Sequence, residues 1–281
     1  MYPAPARGER IASLKGYLVL GESGDIFHEG ELVAKFCKGE LCADVVGLLS
    51  RTLGRAPASN CRRGDSAGQI LDVAGKVYYC NKGMFLPVKP GMLIHAPKRK
   101  RDGQPSPYNV YNTVKSTIVG YTSVSSRGNS GIKGAANSDE ASRPYAWTRD
   151  HPREWAAAQP VFQALSNSMK ARMPEQHAAQ MKRRTHARIE GTPWTTAAVN
   201  ANFATGCHLD GQDAEGAFTA LTTAGDWGGG EFALPQLRVA VDVRPGDVLF
   251  ARTDAWWHGN APITGGDRLA VVAYLHKTLL V

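Results

Sequence analysis

The chain has 281 residues, and 33 lysines and arginines against 25 aspartates and glutamates give it a formal net charge of +8. A hydrophobic fraction of 43% excludes a wholly disordered chain. No apolar run approaches the roughly 18 residues that a membrane span needs. The five cysteines are irregularly spaced and odd in number, which favours a reducing compartment over a disulfide framework.

The charge is unevenly distributed along the chain. Residues 1–190 contain 28 basic and 16 acidic residues, whereas residues 191–281 contain 5 and 9. This asymmetry favours a first part that attracts a polyanion and a last third that builds a site from carboxylates. The alternative is a moderately basic protein whose charge serves only its solubility.

The first half of the chain predicts short strands and loops. Apolar runs alternate with glycine and charged residues from Ile11 to Val88, and β-branched residues over 112–123 predict a further strand. Glycine, serine and asparagine dominate residues 125–143, which predicts a mobile loop. A basic run indicates a solvated loop, a nuclear-import signal or a phosphate contact, and it consists of Lys98, Arg99, Lys100 and Arg101.

The clearest helix is predicted from Pro152 to Arg184, with breaks at Pro160 and Pro174. Four apolar residues at helical spacing give it one buried face, namely Trp155, Phe162, Leu165 and Met169. The helix ends in a basic cluster formed by Lys182, Arg183 and Arg184. Such a cluster either complements the partial negative charge of a helix C-terminus or contacts phosphates.

Six short β-like segments follow from Thr195 to the C-terminus without a helix between them. This pattern predicts an antiparallel sandwich or jelly roll. We therefore expect an α+β fold with a jelly-roll core, a double-stranded β-helix, and flanking helices. The core domain is expected over residues 111–281, and a basic, β-rich N-terminal region over residues 1–110 is expected to pack on it.

Three side chains within the strand-rich part have the composition of a metal site. His208 and Asp210 form a His-x-Asp pair directly after one predicted strand, and His258 lies between two later strands. Two imidazoles and one carboxylate on one face of an octahedral metal are typical of Fe(II) centres that leave positions open for a co-substrate and dioxygen. Arg268 opens the last strand, where it is expected to point inward and bind a carboxylate.

The order of the surrounding motifs resembles one enzyme family. HLDGQD (208–213), GGGEFALPQL (228–237), PGDVLF (245–250), WWHGNAPI (256–263) and DRLAVVAYL (267–275) are similar to the Tet/JBP group of Fe(II)/2-oxoglutarate dioxygenases, and the similarity is good over residues 185–281. The resemblance implies that His208, Asp210 and His258 are the catalytic iron ligands. It also implies that the enzyme acts on the methyl group of 5-methylcytosine in DNA.

The sequence departs from the animal Tet pattern at one position that bears on the co-substrate. Animal-type Tet enzymes have His-x-Asp-x-x-Asn, whereas this chain has Asp213 in place of the asparagine. An added carboxylate would repel dianionic 2-oxoglutarate and accept hydrogen bonds from a hydroxyl-rich lactone. Asp213 therefore favours L-ascorbate, as in green-algal members that transfer a glyceryl unit from ascorbate to 5-methylcytosine with release of CO2. Arg268, at the usual carboxylate position, keeps 2-oxoglutarate-dependent hydroxylation as the alternative.

Modification of a methyl group in duplex DNA requires the base to be flipped out of the stack. Five aromatic residues are candidates to stack on that base, namely Trp256, Trp257, Phe218, Tyr145 and Trp147. The two basic clusters are candidates to bind the DNA phosphates. We expect a nuclear monomer with no membrane association.

Two further interpretations of the same residues remain open. A prolyl-hydroxylase-like protein dioxygenase shares the triad and the arginine. A non-enzymatic cupin-like or DNA-binding module would retain the triad without using it.

Overall fold

The structure is a computed structural model that describes residues 1–58, Ser66, three short strands between residues 72 and 87, residues 115–124 and residues 141–281. The strands in this part are β1 (Leu18–Leu20), β2 (Gly24–His28), β3 (Glu31–Cys37), β4 (Asp72–Val73), β5 (Lys76–Asn81), β6 (Met84–Pro87), β7 (Lys115–Ser123), β8 (Ser142–Pro144), β9 (Thr196–Ala201), β10 (Thr219–Gly229), β11 (Phe232–Leu234), β12 (Val239–Val241), β13 (Val248–Ala251), β14 (Gly259–Asn260) and β15 (Ile263–Tyr274). The helices are α1 (Ala43–Leu53), α2 (Ala146–Asp150), α3 (Pro152–Arg172) and α4 (Pro174–Lys182).

Eight strands form a large antiparallel sheet in the order β2-β3-β13-β10-β15-β9-β7-β8. The two longest strands, β10 and β15, pair at its centre. Because successive side chains of a strand point to opposite faces, each central strand contributes residues to both sides of this sheet.

A smaller sheet, β1-β12-β11-β14, faces the inner side of the large one. Phe232 and Val241 of the small sheet pack in one buried cluster with Leu221 and Leu249 of the large sheet. Two facing sheets of mostly antiparallel strands are the arrangement of a jelly roll. The predicted α+β fold with a jelly-roll core is therefore confirmed.

Helices α1 and α3 cover the outer face of the large sheet. Leu49 of α1 and Phe162 of α3 are fully buried in one cluster with Val199 and Val271, which point outward from β9 and β15. Burial of each such side chain contributes about 1.5–3 kcal/mol. This layer holds the central strands in place and leaves their inner face free to line a site.

The predicted helix over residues 152–184 differs from the observed helices in one break and in its end, which is Lys182. The break before Pro174 is confirmed, because α3 ends at Arg172 and α4 begins at Pro174. The break at Pro160 is wrong, because α3 continues through that residue. Proline removes one backbone hydrogen bond. Trp155 and Phe162, on either side of it, are buried against the core and hold the helix together.

The N-terminal strands belong to both sheets of the core, since β1 pairs with β12 and β3 pairs with β13. The boundary predicted at residue 110, the basic run over residues 98–101 and residues 125–140 of the predicted loop lie outside the described residues. Among the described helices, none is both long and apolar enough to cross a membrane.

Candidate active site

The backbone holds the three predicted metal ligands together. His208 follows β9 and exchanges two backbone hydrogen bonds with His258, at N···O distances of 2.9 and 3.1 Å. The amide of Asp210 donates to the carbonyl of Thr253 at 2.9 Å. Residues that are 50 positions apart in the chain are thereby fixed opposite each other.

The side chains of this triad converge on one point. Nε2 of His208 lies 3.3 Å from Oδ1 of Asp210, and Nε2 of His258 lies 3.4 Å from Oδ2. Each Nδ1 donates to a backbone carbonyl, that of Gly206 at 2.7 Å for His208 and that of Trp256 at 3.0 Å for His258. Because a carbonyl can only accept, the proton lies on Nδ1 and the Nε2 lone pairs face the shared point.

The electrostatics of the triad keep its carboxylate ionised. Burial by itself would raise the pKa of Asp210, but the two imidazoles beside it hold that pKa well below its usual value. Burial lowers the pKa of His258 and the charge of Asp210 raises it, with a net upward shift. The candidate ligand atoms of the three residues all lie within 4.8 Å of one another. Two imidazoles and one carboxylate fit a divalent iron.

A cavity of about 370 Å³ opens beside the triad, between the two sheets. Its wall includes alternate residues along β15 and just beyond it, namely Arg268, Ala270, Val272, Tyr274 and His276. At about 3.3 Å per residue, the Cα atoms of Arg268 and Tyr274 are roughly 20 Å apart. The cavity therefore has two ends, one at Arg268 and one at Tyr274 and His276.

Arg268 points into the cavity as predicted, and it is a buried cation. The prediction that it opens the last strand is wrong, because β15 begins five residues earlier, at Ile263. Its side chain is 4% exposed, and its Nε has no hydrogen-bond partner. Within the described part of the chain it forms no ion pair, and its guanidinium lies over the ring of Trp227 at 5.6 Å from the centroid. Burial and the charge of Arg244 lower the pKa of Arg268 to about 10, so it stays charged at neutral pH.

Asp213 lines the same cavity at the other end, beside His276. Its Oδ2 accepts hydrogen bonds from the hydroxyls of Thr219 at 2.8 Å and Thr253 at 3.1 Å. Burial and the neighbouring charge of Asp210 raise the pKa of Asp213 well above its usual value. Its predicted contact with the co-substrate stays a prediction.

Of the aromatic residues predicted to stack on a base, Tyr145 lines the cavity. The other four pack elsewhere: Phe218 in the outer core, Trp147 against that core, and Trp256 and Trp257 against two other buried clusters. Trp256 and Trp257 immediately precede His258 in sequence, but their side chains are not part of the cavity wall.

The basic cluster at the end of α4 lies close to the loop that follows Asp213. Arg183 donates to the backbone carbonyl of Glu215 at 2.7 Å, so it is engaged in holding that loop. Lys182 and Arg184 are exposed. Their predicted contact with phosphates stays a prediction.

Several cavity residues are missing from the sequence-based predictions. Tyr274 and His276 follow Arg268 at even spacing, so strand alternation alone could have identified them. Asn200 follows the same rule on β9, two residues after Ala198. Thr219 begins β10 and Thr253 lies in the turn after β13, and no local sequence signal brings them to Asp213.

Comparison with known proteins identifies the family. Residues 132–277 match the Tet/JBP family, described as the oxygenase domain of the 2-oxoglutarate/Fe(II) dioxygenase superfamily. A relative, the thymine dioxygenase JBP1 of Crithidia fasciculata, is 31% identical over 145 residues, which are 49% of this chain and 18% of that protein. The Trypanosoma brucei brucei protein of the same name is 29% identical over 49% of this chain and 17% of its own length.

The chain thus spans less than a fifth of the length of these relatives. A solved structure of NgTET1 in complex with 5mC DNA has the same fold, with a TM-score of 0.57 and 14% identity. It covers 93% of this chain and 79% of the other. The predicted resemblance and the predicted class, an Fe(II) dioxygenase, are confirmed. The chain belongs to the Tet/JBP family of 2-oxoglutarate/Fe(II) oxygenase domains.

Proposed function

We propose that this chain uses Fe(II) and dioxygen to oxidise the methyl group of 5-methylcytosine in DNA. The observation that best supports this is one cavity lined by three convergent metal ligands and by a buried arginine that forms no ion pair within the described residues. The names of the similar proteins refer to thymine and to 5mC DNA. Thymine and 5-methylcytosine are both pyrimidine bases with a methyl group on carbon 5. A C5-methylated pyrimidine in DNA is therefore the proposed substrate class of this chain.

Nε2 of His208, Nε2 of His258 and the carboxylate of Asp210 would hold the iron. When bound, the iron supplies the activation of dioxygen that makes a methyl C–H bond breakable. The protein orients the two imidazoles through the carbonyls of Gly206 and Trp256. Phe232 stacks on the His258 ring at 5.3 Å and contributes an apolar wall that excludes water.

Arg268 favours 2-oxoglutarate as the co-substrate. A buried guanidinium without a carboxylate partner is costly, and an anionic ligand that binds it offsets this cost. A dicarboxylic acid can place one carboxylate on Arg268 and its other end toward the triad. In this mechanism the protein clamps one carboxylate, and the methyl group is hydroxylated.

A second candidate is ascorbate-dependent glyceryl transfer, giving 5-glyceryl-methylcytosine with release of CO2. The observation that favours it is the cluster formed by Asp213, Thr219 and Thr253 in the cavity wall, because carboxyl and hydroxyl groups match a polyhydroxylated lactone. Both candidates require the same metal ligands. They differ in whether Arg268 or Asp213 dominates recognition of the co-substrate.

The target base has to leave the DNA stack to reach an enclosed cavity. Tyr145 and Tyr274 line the cavity and provide aromatic faces on which the base can stack. Lys182 and Arg184 are exposed and are proposed to bind phosphates, as is the basic run over residues 98–101. The proposal includes a monomeric enzyme located in the nucleus, where its DNA substrate would be.

The decisive experiment incubates the protein with DNA containing 5-methylcytosine and Fe(II), with either 2-oxoglutarate or ascorbate as the only co-substrate. Mass spectrometry of the nucleosides then separates hydroxymethyl from glyceryl-methyl products. DNA containing unmodified cytosine serves as the control, and we expect a new nucleoside only from methylated DNA.

If no new nucleoside forms, the proposal that 5-methylcytosine in DNA is the substrate is wrong. Co-substrate consumption without DNA modification would indicate another substrate, as in a prolyl-hydroxylase-like enzyme. Absence of consumption under every condition would indicate a module whose metal site is unused.

A further inference from the structure

The inner wall of the cavity contains a hydrogen-bonded pair of polar side chains, the buried Ser116 and the half-buried Asn200, that the proposed function does not use. Asn200 of β9 lies opposite Ser116 of β7 and opposite Ala270 of β15 in the sheet register. The hydroxyl of Ser116 donates to Oδ1 of Asn200 at 2.5 Å, and Ser116 is only 2% exposed. This bond fixes the orientation of the Asn200 amide, because the oxygen must face Ser116.

In this orientation the amide nitrogen of Asn200 turns away from Ser116, and its two N–H groups remain available to donate hydrogen bonds. Among the described residues no acceptor contacts this nitrogen, and Asn200 lines the cavity. The geometry is unlike that of Asn260, which lines the same cavity. Asn260 accepts from the hydroxyl of Thr205 at 2.8 Å and donates to the carbonyl of Gly230 at 3.1 Å, so both ends of its amide are engaged. Asn200 therefore has donors available to a ligand, and Asn260 is structural.

The position of Asn200 relates it to Arg268. Ala270, which Asn200 faces, is two residues from Arg268 on the same strand, and all three side chains point to the cavity. Diagonal neighbours on one face of a sheet have Cα atoms about 7–8 Å apart. A co-substrate anchored at Arg268 and extended along this wall passes within reach of the Asn200 amide.

We propose that Asn200 is a specificity-determining residue that donates a hydrogen bond from Nδ2 to an oxygen of bound 2-oxoglutarate, with Ser116 as the positioning residue. This inference rests on the proposed function, in which Arg268 binds one carboxylate. Ser116 acts by holding the amide oxygen, so that the amide cannot rotate and present an acceptor to an anion. The pair recognises the negative charge of the co-substrate without adding a second buried cation.

The test is isothermal titration of 2-oxoglutarate into the Mn(II)-loaded protein without DNA. We expect Asn200→Leu, which is similar in size but has no donor, to weaken binding by roughly tenfold or more, as for the loss of a hydrogen bond to a charged group. Asn200→Asp places a carboxylate against a carboxylate, and we expect about a hundredfold loss. Ser116→Ala frees the amide to rotate, and we expect a smaller loss of about threefold.

Thr205→Ala is the matched control, since it removes the equivalent hydroxyl from the structural Asn260 and should leave the 2-oxoglutarate Kd unchanged. The KM for DNA should also be unchanged in the Asn200 variants. A Kd for Asn200→Leu equal to that of the wild type overturns the inference. If Asn200→Leu does not fold, as judged by its Tm, the near-isosteric Asn200→Asp decides in its place, and wild-type affinity in that variant is equally fatal.

The failure of the proposed function gives a different result. If the wild-type protein binds Mn(II) but not 2-oxoglutarate, the proposed co-substrate is wrong, and the role of Asn200 is wrong with it. If the wild type binds 2-oxoglutarate and the Asn200 variants bind it equally well, only the role of Asn200 is wrong.

Discussion

The two ends of the cavity differ in what their polar groups lack. At one end, Arg268 is a buried cation with an unsatisfied Nε and no ion pair within the described residues. At the other end, Asp213 accepts two hydroxyl hydrogen bonds. A buried charge without a partner is costly, so the first end is incomplete until an anion binds. The second end is satisfied by the protein itself and imposes no such requirement.

One strand, β15, contributes residues to both ends of the cavity. The second half of strand β15 runs from Arg268 at the incomplete end to Tyr274 near the satisfied end, and its alternate side chains face the cavity. The metal ligands line the same cavity, and two of them, His208 and His258, are held by a separate backbone bridge. In the proposed function, the charge of the co-substrate is therefore recognised by residues other than the metal ligands, and each set can be substituted by itself.

The largest expected effect comes from removing the metal site while both ends of the cavity stay intact. His208→Ala deletes one of three ligands, and we expect co-substrate consumption to fall by roughly a thousandfold or more, together with loss of Fe(II) affinity. Turnover and metal content measured on the folded variant check this. His186→Ala, an exposed histidine, is the control. Unchanged turnover would show that the triad is not the metal site.

The second effect tests the incomplete end directly. Arg268→Leu removes the buried cation, and we expect the Kd for 2-oxoglutarate to rise by about a hundredfold, as for the loss of a bidentate charged contact. The same variant no longer buries an unpaired charge, so its Tm without ligand should be equal to that of the wild type or higher. Calorimetry and thermal unfolding measure both.

Arg268→Lys keeps the charge but loses the planar fork that suits a carboxylate, so it should bind 2-oxoglutarate with intermediate affinity. If Arg268→Leu binds 2-oxoglutarate as tightly as the wild type, the unpaired charge of Arg268 does not determine recognition of the co-substrate.

The fold and the triad were predictable because each depends on local pattern and order along the chain. Short strands without intervening helices after Thr195 indicated the jelly roll. His208, Asp210 and His258 were recognised by residue type and by their place between strands. The helix break at Pro160 was predicted wrongly, because the local cost of proline is outweighed by the burial of Trp155 and Phe162.

The environment of the site was not predictable, since it depends on which strands become neighbours. The Ser116–Asn200 bond joins residues 84 positions apart, and Thr253 reaches Asp213 across 40 positions. Spacing within one strand could have identified Tyr274 and His276. The hydrogen-bonding state of each wall residue, which separates Asn200 from Asn260, requires the three-dimensional arrangement.

A smaller effect concerns DNA binding, which should be independent of both ends of the cavity. Each phosphate contact contributes about 0.9 to the slope of log K against log salt concentration. Replacing Lys182 and Arg184 with alanine should therefore reduce this slope by roughly two and leave the 2-oxoglutarate Kd unchanged. Arg153 and Lys170 are exposed on α3, which covers the outer face of the sheet, and their double alanine variant is the charge-matched control. An unchanged slope would exclude Lys182 and Arg184 as phosphate contacts.

The smallest expected effect tests the satisfied end. Asp213→Asn retains an oxygen that can accept from Thr219 and Thr253 but removes the ionisable group. Since Asp213 lies beside His276, at the end of the cavity away from Arg268, and the interaction energy of two charges falls with distance, we expect the Kd for 2-oxoglutarate to change by less than about twofold. Titration of the Mn(II)-loaded variant measures this. A decrease of tenfold or more in that Kd would mean that Asp213 repels the dianion. The two ends would then differ in the sign of their charge, with Arg268 attracting 2-oxoglutarate and Asp213 repelling it. That result would favour ascorbate over 2-oxoglutarate in the wild-type protein, because removal of a single carboxyl would then be sufficient to admit the dicarboxylic acid.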